Sequence, residues 1–291
     1  MTILAIGGTG QIGSLVVEEL ARHGAQVRAL GTKLRPGGTP SGVELVTGDV
    51  LDIDFMRSQL RSVSTVFVLH PAVADELTRA LLTLALIEEA GIKRIVYLSM
   101  IGADRFADSP RAAAKWAAEE TIARRGLSAT ILRPNALFQN DIMQKDSLTS
   151  HQTYATPVGK VGLTLIDGRD VAEVVALELL RRERSGDPLP TETIELVGPE
   201  AFTGESIVRL WSDVLGKQVT YAGDDLEAVQ KAFRAAMSSA DAYSLAMIFR
   251  GIVQDGVLGA PGAADQLVRM LGHPLRTYRA FAEEIVAAGN R

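Results

Sequence analysis

Two rhythms of apolar and polar positions alternate along the first half of this chain. Ile3-Leu4-Ala5-Ile6 is a short, continuous apolar run, the pattern of a strand buried on both faces. It leads into Gly7-Gly8-Thr9-Gly10-Gln11-Ile12-Gly13. Helical spacing then takes over from Ser14 and stops at Gly24, a residue suited to a left-handed helix cap. Further strands are predicted over Ala25–Leu30, Val43–Val46, Thr65–Leu69, Arg94–Ser99 and Ala129–Leu132. Helices are predicted around Asp54–Leu60, from a cap at Asp75 to Ala90, and from Ser109-Pro110 to Gly126. Residues 31–42 hold four glycines and two prolines, so they read as a loop.

Strands separated by helices of this length predict an α/β fold, a doubly wound parallel sheet with helices on both faces. Crossovers in such a sheet are right-handed, and ligands sit at the carboxyl ends of the strands. One rim then carries Gly7–Gly13, the 31–35 loop, Asp49, His70-Pro71 and Ser99. After residue 134 the alternation loosens. A helix over Val171–Arg182 follows Asp167-Gly168-Arg169-Asp170, and Thr193–Val197 reads as a strand returning to the sheet. Thr203 caps a helix through Leu215 that Gly216 stops, and the chain is mostly helical from Asp224, with a glycine-rich break at 256–262. The predicted organisation is a dinucleotide-binding domain of 1–134 with returning segments about 158–182 and 192–198. A smaller, mainly helical domain of about 135–157 and 199–291 would border a substrate cleft.

The glycine turn is the strongest chemical signal. A strand, a Gly-rich turn and a helix in this order cradle a pyrophosphate. Glycines permit the tight turn and a close backbone approach, and the helix N-terminus offers free N–H groups and a positive dipole end. Gly7, Thr9, Gly10, Gln11, Ile12 and Gly13 are the candidate cradle residues. Two registers fit, Gly8-x-Gly10-x-x-Gly13 and Gly7-x-x-Gly10-x-x-Gly13.

Bulk properties narrow the remaining classes. With 47% hydrophobic residues among 291, a sizeable core is expected rather than disorder. A net charge of -5 without a basic block disfavours nonspecific nucleic-acid binding. No cysteine is present, which removes disulfides, thiol nucleophiles and thiolate-ligated metals, and no His-x-x-x-His cluster suggests a metal site. Residues 1–20 lack the pattern of an export signal, and the Leu77–Ile87 run is too short and too polar to span a bilayer, so a cytoplasmic protein is expected.

Several motifs together carry a family resemblance. They are Gly7-Gly8-Thr9-Gly10-x-x-Gly13, Gly48-Asp49, Lys115-x-x-x-Glu119, Thr130-Ile131-Leu132-Arg133-Pro134, Asn140 and Asp170-Val171-Ala172. Val197-Gly198-Pro199-Glu200, Leu215-Gly216-Lys217 and Leu271-Gly272-His273-Pro274-Leu275-Arg276-Thr277 continue the series. In this order they resemble the NmrA-like branch of the atypical short-chain dehydrogenase/reductases, over nearly the whole chain. The resemblance implies an NADP(H)-binding Rossmann sheet. Its members include quinone and azo-dye reductases, relatives acting on plant phenolics, and redox-sensing regulators that bind the cofactor without turning it over.

The residues speak to the cofactor independently. NAD-specific folds place Asp or Glu at the end of the second strand for the ribose hydroxyls. Here Ala29-Leu30-Gly31-Thr32-Lys33 supplies no carboxylate, and Thr32, Lys33 and Arg35 suit a 2′-phosphate. NADP(H) is therefore expected over NAD(H), although both cations also read as solvated loop charges. Family members often carry arginine directly after the strand, where this chain has Thr32. Asp49 and Val50 resemble the pair that contacts adenine, and Asp49 reads equally as a turn residue.

The usual acid is missing. Short-chain dehydrogenases use Tyr-x-x-x-Lys on one helix face, the lysine binding the nicotinamide ribose and lowering the phenol pKa. This chain reads Arg111-Ala112-Ala113-Ala114-Lys115, and arginine is no ordinary proton donor. Lys115 is the candidate catalytic residue, with a ribose role by resemblance; the alternative is an exposed i,i+4 pair with Glu119. Ser99 and His70 end strands at the rim and are candidate cofactor contacts, or else a strand-end hydroxyl and a rim or core histidine. Asn135, Phe138, Asn140 and Tyr154 are the candidate substrate-pocket residues, with core packing the other reading of Phe138. Either His151 or Tyr154 would be placed to replace the lost acid.

Two functions follow. One is an NADPH-dependent reductase passing hydride to a quinone or similar conjugated small molecule, a reaction that needs no strong protein acid. The other is a non-catalytic NADP(H) sensor that regulates a protein partner. Neither reading specifies an oligomeric state.

Overall fold

The computed structural model describes residues 2–33 and 39–289. The first half runs β1 (Thr2–Ile6), α1 (Gln11–Arg22), β2 (Gln26–Gly31), β3 (Val43–Thr47), α2 (Ile53–Leu60) and β4 (Val63–Val68). It continues with α3 (Glu76–Glu89), β5 (Ile95–Leu98), α4 (Pro110–Arg124) and β6 (Ala129–Pro134). A 3-10 helix, Phe138–Gln144, precedes α5 (Lys145–His151), β7 (Thr153–Tyr154), β8 (Leu163–Thr164) and α6 (Gly168–Arg184). Then come β9 (Glu192–Leu196), β10 (Ala201–Phe202), α7 (Gly204–Leu215) and β11 (Thr220–Tyr221). The chain closes with α8 (Leu226–Arg234), α9 (Ser239–Asp255), α10 (Ala263–Leu271) and α11 (Tyr278–Gly289).

The chain divides into two units. The first comprises Met1–Ala103, Ala113–Arg133 and Val171–Ile194, and the second Asp104–Ala112, Pro134–Asp170 and Glu195–Arg291. The main sheet has the order β3-β2-β1-β4-β5-β6-β9. The pairs β1–β2, β2–β3, β1–β4, β4–β5 and β5–β6 are parallel, as a strand–helix alternation requires. The order reverses between β1 and β4, which makes their carboxyl ends the topological switch point.

Alternate strand residues supply one face of the first unit's core. Leu4 and Ile6, Val66 and Val68, and Ile95 and Tyr97 share a cluster with Met56, Leu60, Leu84, Ile87 and Ile122 from α2, α3 and α4. The apolar runs of β1 and β5 are buried along their length, which is why they show no alternation in sequence. In the second unit an aromatic core joins Phe138, Phe202, Tyr278 and Phe281, and the Trp211 indole N–H donates to the Tyr278 hydroxyl at 3.1 Å. No helix among the described residues is long and apolar enough to cross a membrane.

Most predicted elements are present, with shifted ends. α1 begins at Gln11 rather than Ser14, because Gly10 already serves as the N-cap position. Thr203 and Ser206 form a reciprocal capping box on α7, and Gly216 closes it at φ 63°. One expected cap acts differently. Asp75 precedes α3, but its carboxylate goes to Arg79 at 2.9 Å instead of a backbone N–H. The Ser109 hydroxyl donates to the Ser244 carbonyl at 2.9 Å. Residues 158–170 and 195–198 belong to the second unit rather than the first. β8 pairs antiparallel with β10, and the Ile166 N–H donates to the Ala136 carbonyl. Residues 104–112 also lie in the second unit.

Candidate dinucleotide site

The turn after β1 is built by glycines with different duties. Gly7 has φ 76°, and a Cβ there would overlap the Leu69 carbonyl oxygen beyond β4. The Gly8 N–H donates to both the Ala5 and Leu30 carbonyls, at 3.1 and 3.0 Å, and a Cβ would lie 2.8 Å from the Ala5 oxygen. A Cβ at Gly13 would collide with the Gly7 carbonyl. The fold itself therefore needs Gly7, Gly8 and Gly13, so both sequence registers describe real constraints.

Gly10 is different. Its φ of -76° and ψ of 179° suit any residue, and a Cβ would meet only the Gly7 oxygen at 3.2 Å. It is exposed, and no side chain caps α1. The absent side chain at Gly10 thus leaves open the space before an uncapped helix N-terminus, as a bound pyrophosphate requires. Thr9 packs its side chain onto Gly31 at the end of β2. Gln11 is exposed, and Ile12 is buried.

The ends of β2 and β3 flank this cradle. Thr32 and Lys33 are exposed directly after β2, with no carboxylate beside them in sequence, while Arg35 lies outside the described residues. Asp49 follows β3. It accepts from the Leu51 N–H at 3.0 Å and from Arg79 at 2.7 Å, in that order of effect, and its carboxyl is held below the usual range. Its side chain therefore has a turn role of its own, and Val50 is buried in the first unit's core.

On the other side of the switch point lies an enclosed polar layer. Lys115 of α4 is buried, not surface-exposed. Its ammonium is 2.8 Å from Glu76 Oε1 and donates to the Leu98 carbonyl at 3.1 Å. The expected alternative pair with Glu119 is not formed. Glu119 instead accepts from the Ser99 hydroxyl and from Arg133, whose Nη2 lies 2.5 Å away. Ser99 is thereby tied into the unit's own network. His70, just beyond β4, is 3% exposed, and its Nε2 has no hydrogen-bond partner among the described residues. Burial first, then the charges of Lys115 and Arg79, push its pKa down to about 3, against a smaller opposing effect of Asp75.

The candidate pocket residues all fall in the second unit. Asn135 is buried, and its amide donates to Thr164 Oγ1 and the Val257 carbonyl, both at 2.9 Å. Phe138 is enclosed at 5.2 Å, edge-on, from Tyr278. Tyr154 is also enclosed and donates to Asp141 at 3.0 Å. Burial and then Asp141 push its phenol well above the ordinary value, which makes it a poor proton donor. The structure thus gives Asn135, Phe138 and Tyr154 packing and network roles, while Asn140 and His151 are exposed. The backbone N–H of Arg111, at the usual tyrosine position, donates to the Ser244 hydroxyl at 3.1 Å.

Sequence does not single out Glu76 or Arg79, and Arg133 appears there only within the Thr130–Pro134 motif. Glu76 reads there as an ordinary acidic residue in a first helical turn, and no spacing rule links α3 to a lysine 39 positions later. Arg79 carried a weak signal, since it follows Asp75 by four residues.

The chain is similar in sequence and fold to known proteins. The NmrA-like family model matches residues 1–249. An NAD(P)H azoreductase of Xenophilus azovorans is 27% identical, over 98% of each chain. An NADPH-dependent quinone oxidoreductase from Escherichia coli, solved with NADPH, superposes with a TM-score of 0.81 at 22% identity, covering 98% of this chain and 99% of its own. The triphenylmethane reductase of Citrobacter sp., solved with NADP(H), gives 0.80 at 21% identity, covering 98% and 100%.

Proposed function

The chain belongs to the NmrA-like family, and from this premise we propose that it is an NADPH-dependent reductase of quinones or similar conjugated small molecules. The observation that carries the cofactor assignment is Gly10, a glycine the fold does not need, at the mouth of an uncapped helix beside the β1–β4 switch point. The full-length similarity to an azoreductase, and folds shared with a quinone oxidoreductase and a dye reductase, support the substrate class.

The residues fit NADP(H) as follows. Backbone N–H groups of the Gly7–Gly13 turn would hold the pyrophosphate. Thr32, Lys33 and Arg35 would take the 2′-phosphate, in place of the carboxylate that reads an unmodified ribose. Asp49 and Val50 would border the adenine. Lys115 spends two of its three N–H donors on Glu76 and Leu98, which leaves the third for a ribose hydroxyl. The cofactor supplies the hydride when bound. The protein's part is to position the reactants, because a conjugated acceptor takes its proton from water and needs no phenol at position 111.

That missing phenol is also the one observation favouring a second reading, an NADP(H)-binding regulator without turnover. Assay of purified protein with NADPH and a quinone panel separates the two. Cofactor choice is tested separately. Lys33→Ala with Arg35→Ala is expected to weaken NADPH binding about 10- to 100-fold while changing NADH binding less than about threefold. Calorimetric titration with both nucleotides reads this, and equal losses would remove the loop from 2′-phosphate recognition.

A further inference from the structure

His70 sits just beyond the carboxyl end of β4, on the strand that pairs with β1 across the switch point. The preceding residue, Leu69, presses its carbonyl against Gly7 of the cradle. The side chain is enclosed, yet Nε2 bonds to nothing among the described residues. Leaving a polar atom buried and unpaired is costly, so such atoms invite an explanation. Other buried atoms in the same condition have one. Glu19 and Glu76 form ion pairs with Arg22 and Lys115, and Arg79 and Arg94 bond through their other nitrogens. Thr83 lies in the middle of α3, away from the strand ends. Among these, His70 is the residue at the rim, and its Nε2 has no partner among the described residues.

Strand order says which part of a ligand it would meet. Thr32, Lys33 and Asp49 follow β2 and β3, on one side of the cradle, and would take the adenosine half. β4 and β5 lie on the other side, so a dinucleotide crossing the switch point brings its second ribose toward His70 and Lys115. The imidazole is neutral near pH 7, so one ring nitrogen donates and the other accepts. That complements a hydroxyl, which also does both, better than it complements a phosphate dianion.

Resting on the cofactor assignment above, we infer that His70 Nε2 is the hydrogen-bonding partner of a hydroxyl on the nicotinamide-side ribose. Three probes test it by calorimetry: NADPH, 2′-phospho-ADP-ribose, which keeps that ribose without the nicotinamide, and adenosine 2′,5′-bisphosphate, which lacks both. His70→Phe is expected to weaken the first two about fivefold to tenfold and to leave the third unchanged. The melting temperature of the ligand-free variant should equal or exceed that of the wild type, because an unpaired polar atom has been replaced by an apolar ring. His70→Asn, which restores a donor and an acceptor, should recover part of the affinity. Unchanged affinity for all three probes would overturn the assignment. So would an equal loss on all three together with a lower melting temperature, the signature of a structural histidine. Failure of the wild-type protein to bind any probe would instead remove the cofactor reading, and this assignment with it.

Discussion

Gly10→Val is expected to abolish NADPH binding, at least about 100-fold, in a protein that still folds. The backbone at Gly10 has dihedrals a valine adopts without strain, and a Cβ there meets a single carbonyl oxygen at 3.2 Å. Valine is a weaker N-cap than glycine, so the loss of stability should be about 1 kcal/mol. The valine methyl groups would occupy the space a pyrophosphate needs before the α1 N–H groups. Gly13→Val provides the contrast. Its Cβ collides with the Gly7 carbonyl, so that variant should fail to fold. Titration calorimetry and thermal melting of both variants read the difference. Wild-type affinity in Gly10→Val would mean that the ligand does not lie on this turn.

The second large effect concerns the enclosed ion pair. Glu76→Ala leaves Lys115 charged in a buried site with the Leu98 carbonyl and the Tyr97 ring but no counter-charge from Glu76, and should cost about 3–5 kcal/mol of stability. Glu76→Leu combined with Lys115→Met should recover most of that loss, because two charges no longer need to be desolvated. The double variant should nonetheless bind NADPH more weakly than the wild type, having lost the spare lysine donor. Urea unfolding measures the stability and calorimetry the binding. A double variant no more stable than Glu76→Ala would show that the pair contributes shape rather than compensated charge. Wild-type NADPH affinity in that variant would remove Lys115 from the ribose site.

The parts of the fold legible in sequence were those set by local chemistry. The Gly7–Gly13 turn, the Thr203 cap and the Gly216 stop each follow from what a few neighbouring residues can do, and each is found in place. The strand at Thr193–Val197 was readable as returning to the sheet, and β9 does so at its edge. What could not be read depends on partners distant in sequence. Lys115 and Glu119 are four residues apart and look like a surface pair, but burial directs one to Glu76 and the other to Ser99 and Arg133. Asp75 occupies a cap position, but Arg79 takes its carboxylate. Phe138 follows the sixth strand and Tyr154 lies in the loop beyond, positions that suggest a pocket, while in three dimensions Phe138 packs against Tyr278 and Tyr154 bonds to Asp141. His70 was legible as a rim residue, but its unpartnered nitrogen shows only in three dimensions.

The central claim is reductase chemistry, and the most direct test is NADPH oxidation by the purified protein against a panel of simple quinones, followed by absorbance at the nicotinamide band. Protein-dependent turnover that disappears in Gly10→Val is the predicted result. A wild-type sample that binds NADPH and oxidises it with no acceptor in the panel would contradict it and favour the regulator reading.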